Sequence, residues 1–241
     1  MYALRTLFNT AIIGTSAILW LFLSGLVAGP FLWLFPGKSG KNVRKFVFIQ
    51  SKGILFCMRL CSSGWKEERA PRPQGPCIVA ANHASALDLY TVAALGFTNV
   101  VYITKGWVFK LPFFRPVMQA AGYMDAEKTS PEEMLARCKT AVENGCDIVL
   151  FPQGSRKNPQ ARFKSGAFYL AELLKLPVVP VAIGGTGKML PAGTIKLHPA
   201  KIVLKSLPAL MPGAFTEPLA HLEMAQTVKK QIMQELEKEN I

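Results

Sequence analysis

An uncharged, apolar stretch runs from Thr6 to Gly37, bounded by Arg5 and Lys38 and richest between Thr10 and Leu34. A helix of ~20 apolar residues crosses a bilayer, so this stretch is long enough for a membrane segment. A cleaved signal peptide would carry a shorter apolar core ending in a small-residue cleavage site, and none stands out. The stretch is therefore expected to be a retained anchor. Pro30, near its end, leaves both a full span and a re-entrant dip open. Immediately afterwards, Lys41, Lys45, Lys52 and Arg59 recur at spacings of four and seven, while Phe46, Val47, Ile49, Ile54, Leu55 and Met58 fill much of the remainder. That pattern predicts a helix over 41–60 with a narrow basic stripe and a broad apolar face. Such a helix suits either a domain core or a membrane interface, and its position after the anchor favours the interface. More basic residues follow the stretch (Lys38, Lys41, Arg44, Lys45) than precede it (Arg5), which by the positive-inside bias puts the rest of the chain on the cytoplasmic face.

Beyond Ser62-Ser63-Gly64 the pattern changes, and Pro71 to Pro76 reads as an exposed entry loop. The expected division is 1–64 as membrane anchor and interfacial helix, and 65–241 as the main domain. Short apolar or β-branched runs predict strands at Cys77–Ala81, Val100–Thr104, Asp147–Phe151, Val178–Ile183 and Lys201–Leu204. Helical periodicity predicts helices at Leu87–Leu95, Pro131–Asn144, Gly166–Leu174 and Leu219–Glu239. Alternation of the two argues for an α/β fold, a mostly parallel sheet flanked by helices, behind the N-terminal membrane-associated segment. No internal repeat or low-complexity tract interrupts it.

Charge narrows the partners. With 28 Lys and Arg against 15 Asp and Glu the net charge is +13, which calls for an anionic partner: nucleic acid, anionic lipid or a phosphorylated substrate. Half the residues are apolar, no nucleic-acid-binding motif occurs, and a membrane segment does, so lipid is the expected partner and nucleic acid is not. The five cysteines form no paired framework. Cys57 and Cys61, one helical turn apart among apolar residues, read as buried packing, in keeping with a reducing compartment.

Two loops carry the candidate chemistry. The first, Asn82-His83-Ala84-Ser85-Ala86-Leu87-Asp88, follows the run ending at Ala81, and a histidine at the carboxyl end of a strand sits where open α/β sheets place their ligand crevice. Five residues would set His83 and Asp88 about 140° apart on a regular helix. In a strand-to-helix loop, however, the aspartate can fold back to orient the imidazole and stabilise the imidazolium, making His83 a base for a hydroxyl nucleophile. Alternatively, Asp88 caps the helix that follows. The second loop, Phe151-Pro152-Gln153-Gly154-Ser155-Arg156-Lys157, offers backbone donors, a hydroxyl and two cations; Gly154 allows close approach to an anion and Arg156 can grip phosphate through two bonds. Taken alone, it reads equally well as a solvated basic turn.

These residues resemble a family. NHASALD is similar to the N-H-x4-D block of the glycerolipid acyltransferases that include the 1-acylglycerol-3-phosphate acyltransferases, and FPQGSR is similar to their F-P-E-G-T-R block. KSGAFYLAELLKLPVVPVAI resembles the family's lysine-glycine helix and closing V-P-V strand, and Gly122 to Lys128 resembles, more loosely, a block ending in arginine. The likeness covers roughly residues 65 to 205. It implies that His83 deprotonates the acceptor's hydroxyl, that Asp88 orients His83, and that the hydroxyl attacks the thioester of acyl-CoA or acyl-carrier protein with no acyl-enzyme. It further implies that Lys105, Lys128, Gln153, Gly154, Ser155 and Arg156 bind the acceptor, lysophosphatidic acid, the product being phosphatidic acid. No metal or cofactor is implied beyond the thioester co-substrate, and His198 and His221 lack ligand-spaced partners.

Two departures bear on this. Gln153 stands where the family has glutamate, so it can hydrogen-bond but carries no charge, which leaves another lyso-lipid acceptor open. Lys128 replaces the arginine and offers a point charge without the planar fork. A non-catalytic lipid-binding protein on the same fold is the alternative of a different class, against which the His83 and Asp88 pair argues. Gly184 to Lys188 imitates a phosphate loop, but Ala182 and Met189 occupy required positions, so it reads as a turn. No G-x-S-x-G elbow is present.

Overall fold

The computed structural model describes residues 2–34, 40–110, 115–156, 158, 160–215 and 218–241, with the side chains of 27–34 and 107–108 left aside. Gly37, Lys38 and Lys157, each part of a run discussed above, lie outside the described residues.

The apolar stretch is helical from α1 (Tyr2–Phe8), through a π-helical segment at Asn9–Gly14, to α2 (Thr15–Leu34). Residues Tyr2–Leu26 are long and apolar enough to cross a membrane, and Leu4, Leu7, Ile18, Phe22 and Leu26 are each more than half exposed. The helix continues through Pro30. Its opposite side is tied to the protein: Asn9, buried, donates to the Cys61 carbonyl, and the Leu197 amide donates to Thr10. A buried polar anchor of this kind fixes where the helix rests.

Helix α3 (Gly40–Cys61) covers the predicted 41–60 segment. One face, with Val43, Ile54, Leu55, Met58 and Cys61, is buried and joins the main hydrophobic core against α4 (Asp88–Ala94) and α5 (Arg115–Ala121). Ile49, Phe56 and Leu60 on other faces are exposed, beside the exposed Lys45 and Lys52. The helix thus packs on the core with one face and leaves apolar and basic residues exposed on others, and it meets the domain after residue 64 within one hydrophobic core.

Among the described residues seven strands form one sheet: β1 (Gly64–Arg69), β2 (Ile78–Ala81), β3 (Val100–Thr104), β4 (Met124–Asp125), β5 (Asp147–Leu150), β6 (Val178–Gly184) and β7 (Lys201–Ser206), in the order β1-β7-β6-β2-β5-β3-β4. All pairings are parallel except β6 with β7. Strands β2, β5 and β6 are buried on both faces, as expected of central strands between helical layers. The helices are α6 (Pro131–Glu143), α7 (Gly166–Leu174), the short α8 (Thr186–Met189) and α9 (Ala220–Lys238). Ser130 caps α6 by accepting from the Glu133 amide at 3.2 Å, with Pro131 as its first residue.

Candidate active site

Because β6, β2, β5, β3 and β4 run parallel, the loops at their carboxyl ends gather along one edge of the sheet. His83 follows β2, the Phe151–Arg156 loop follows β5, Lys105 follows β3 and Lys128 follows β4. At about 4.8 Å per strand, Lys105 and Lys128 start roughly 10 and 14 Å across the sheet from the strand that carries His83.

The histidine loop is held from three sides. Asn82, buried, extends the β2–β6 ladder with its side chain: its Nδ2 donates to the Ile183 carbonyl at 2.8 Å, and its Oδ1 accepts from the Ile183 amide at 2.7 Å. A carboxamide offers the same donor and acceptor as a peptide group, which makes asparagine fit here. The Ser85 hydroxyl donates to the Leu190 carbonyl at 2.9 Å. A Cβ added at Gly187 would lie 3.0 Å from that of Ala84, so α8 backs the loop closely.

Asp88 is the first residue of α4, but its carboxylate turns back into the loop. A single oxygen, Oδ2, accepts from the amides of Ala84 (2.7 Å) and Ser85 (2.8 Å) and lies 2.8 Å from His83 Nδ1. The Asp88 side chain is fully buried and that of His83 is 16% exposed. Two backbone donors fix the carboxylate, and the carboxylate fixes the ring with Nδ1 as the donor, leaving Nε2 with a lone pair. The imidazole also stacks on Phe151 from the second loop, with centroids 4.2 Å apart and planes at 23°.

The second loop is joined to the first through Gln153. That side chain, 5% exposed, turns inward, and its Oε1 accepts from the His83 amide. Gly154 has φ +66°, the left-handed region that favours glycine, and a Cβ there would lie 3.3 Å from Lys164 Nζ. Lys164, which no reading of the sequence singled out as a site residue, thus adds a cation beside Gly154; its one signal was its place at the head of the lysine-glycine block. Its amide donates to the Pro152 carbonyl at 2.9 Å, closing the loop. Ser155 and Arg156 are partly buried on the same loop, whereas Lys105 and Lys128 are exposed. The structure therefore brings His83, Asp88, Gln153 and Phe151 into contact, puts the Gly154–Lys164 pair on the same loop as Gln153, and sets Lys105 and Lys128 along the same edge further out. The Asp125 carboxylate lies against Gly106, where a Cβ would come within 2.5 Å of it, and accepts from the Glu127 amide at 2.9 Å.

Other reactive side chains lie elsewhere. All five cysteines are free, and burial pushes the Cys61 and Cys138 thiols up to about 11, far from thiolate chemistry at neutral pH. His198 lies 3.3 Å from the Thr6 hydroxyl, and His221 pairs with Glu172 at 3.3 Å. Among the described residues, no three His, Cys, Asp or Glu side chains converge as metal ligands would.

Residues 65–184 match the family model described as Acyltransferase. The chain is 34% identical over 132 residues to the chloroplastic 1-acyl-sn-glycerol-3-phosphate acyltransferase BAT2 of Brassica napus, covering 53% of this chain and 38% of that one. It is 29% identical over 201 residues to LPAT1 of Arabidopsis thaliana, which bears the same enzyme name, covering 79% and 54%. The matches thus span about half or less of these relatives. The crystal structure of the 1-acyl-sn-glycerophosphate acyltransferase PlsC from Thermotoga maritima superposes with a TM-score of 0.73 at 22% identity, over 100% of this chain and 98% of that one, and shows the shared fold. With both motif loops inside the matched region and the fold held in common, the chain belongs to the acyltransferase family.

Proposed function

We propose that the protein transfers a fatty acyl group from acyl-CoA or acyl-carrier protein to the free hydroxyl of 1-acylglycerol-3-phosphate, giving phosphatidic acid. The observation that carries the reading is the His83–Asp88 contact at 2.8 Å beside a basic loop. His83 Nε2 takes the acceptor's hydroxyl proton as the oxygen attacks the thioester carbonyl. An ester C–O bond forms, the C–S bond breaks, and the imidazolium returns the proton to the leaving thiolate. Asp88 stabilises the imidazolium only while it exists, so its effect falls on the transition state. Gly154, Ser155 and Arg156 hold the acceptor's phosphate one strand from His83, with Lys164 beside them. Lys105 and Lys128 reach in from further out. No metal or bound cofactor enters these steps. The curated relatives' names support the acceptor. The inward turn of Gln153 supports it too, since the departure from glutamate meets the His83 backbone and leaves the phosphate ligands unchanged.

The exposed apolar face of α1 and α2 supports a seat at a membrane, where acceptor and product reside. The basic residues after the anchor favour the cytoplasmic face, with Lys41 and Lys45 exposed. The test is thiol release from acyl-CoA by the detergent-purified protein, with and without lysophosphatidic acid. Acceptor-dependent release is expected, and His83→Ala should lower it 10²- to 10⁴-fold, about the usual worth of a general base. Silence with acyl-CoA, acyl-carrier protein and a panel of lyso-lipids would instead favour a binding protein on this fold.

A further inference from the structure

A second cleft opens on the opposite edge of the sheet, at the amino ends of β3, β4 and β5. It has a volume of about 300 Å³ and is lined by Arg44, Gly122, Arg137, Thr140, Asn144 and Cys146 among others. That is room for a phosphate group and several waters, at about 30 Å³ per water.

Arg44 is the unusual member. It is only 9% exposed, yet among the described residues no carboxylate lies within ion-pair distance of it. Its Nε donates to Asn99 Oδ1 at 2.7 Å, and its Nη1 donates to the carbonyl of Ala121, the last residue of α5, at 3.0 Å. Both partners are neutral. They satisfy hydrogen bonds and leave the charge uncompensated, and a buried charge without a counter-ion is costly. Space is reserved for the guanidinium: a Cβ at Gly40 would lie 2.6 Å from Nη1. The other arginine on the cleft, Arg137, is 40% exposed, donates to the Tyr123 carbonyl at 3.1 Å and is met from outside by Glu133 at 3.5 Å. Lys41, one turn before Arg44, is exposed at the start of α3. Two guanidinium groups on one cleft, one of them buried without a counter-ion, make an anion site of the kind arginine forms with phosphate.

We infer that this cleft binds a phosphate group, from a lipid headgroup or a free phosphate, at a site separate from the catalytic edge. The inference stands apart from the acyl-transfer reading, since it uses none of the same residues.

The test titrates inorganic phosphate into the detergent-purified full chain and follows thermal stability and binding heat. It is run in an Arg156→Ala background so that the catalytic edge contributes little. Flotation with vesicles of phosphatidylcholine, with and without phosphatidic acid, forms the lipid arm. Binding in either arm that weakens about tenfold or more in Arg137→Gln supports the site, the loss being that of a charge-assisted hydrogen bond; the arm that responds identifies the source. Arg44→Gln should act likewise, and Arg137→Gln decides the matter if Arg44→Gln fails to fold. Binding that is unchanged in Arg137→Gln, or absent from both arms, overturns the inference.

Discussion

Replacing Asp88 by asparagine separates the charge of this side chain from its hydrogen bonds. The amides of Ala84 and Ser85 both point at Oδ2, so in Asp88→Asn the carboxamide oxygen must take that place, because an NH2 group there would face two donors. The NH2 then occupies the position of Oδ1, which has no hydrogen-bond partner, and displaces none. His83 Nδ1 still meets an oxygen and keeps its tautomer. What disappears is the negative charge opposite the imidazolium. With charge centres about 4 Å apart and an effective dielectric near 20, that interaction amounts to roughly 4 kcal/mol. At 1.36 kcal/mol per decade it corresponds to about a thousandfold in kcat. KM should change little, because the imidazolium is absent from the ground state. Two charge-assisted bonds become neutral at a cost of about 2 kcal/mol in stability, a fall of about 4–8 °C in Tm. Asp88→Ala is the cruder change, since it leaves two amides unpaired and the ring unoriented. The assay is acceptor-dependent thiol release at saturating substrate, with Tm measured on the same preparation. A kcat within about tenfold of wild type in a folded Asp88→Asn protein would refute the role given to this carboxylate.

Gln153→Glu keeps an oxygen for the His83 amide, so lysophosphatidic acid should keep its rank in a panel of lyso-lipid acceptors; a reordered panel would show that residue 153 reads the acceptor. At the far end of the fold, Glu239 gathers Lys66, Lys205 and Lys201 at 2.5, 2.9 and 3.2 Å, and the bonds from these lysines hold its carboxyl at about 2. A folded-state value below the unfolded one, about 4.3, means its stabilisation is complete above the unfolded value and is lost as pH falls through about 2. Glu239→Gln should therefore lower Tm at pH 7 and narrow its gap to wild type as the pH is taken down towards 2, as followed by thermal melts; a gap that stays constant would assign the effect to packing.

Much of the fold was legible because central parallel strands announce themselves. The strand predicted at Val100–Thr104 and the helix at Gly166–Leu174 match the observed bounds, and the other predicted elements differ by one or two residues at their ends. Strand β1, GWKEER, escaped because this edge strand carries four charged residues in a row, Lys66 to Arg69, where a buried strand carries valine. Strand β4 is two residues long and has no periodicity to detect. Helix α8 follows the left-handed Gly185, and a glycine-rich run signals a turn more strongly than a single helical turn.

The site divides along the same physical line. Positions set by local sequence, such as a histidine just after a strand and an aspartate at the next helix start, could be read from spacing. Contacts made across the sheet could not: Phe151 against His83 and Asn82 on Ile183 join residues whose neighbourhood exists only once β2, β5 and β6 lie side by side, and Lys164 meets Gly154 only once the loop after β5 has closed on itself. Gln153 and Arg44 make the same point in opposite directions. In the sequence, the resemblance makes Gln153 a substrate contact and position makes Arg44 one more cation after the apolar stretch, yet both are more than 90% buried. Burial limits Gln153 to the residues around it, the His83 backbone first among them. For Arg44 it does the reverse, because a guanidinium nine-tenths buried among neutral groups gains more from a nearby negative charge than an exposed one does. The cleft at its side is where a phosphate would supply one.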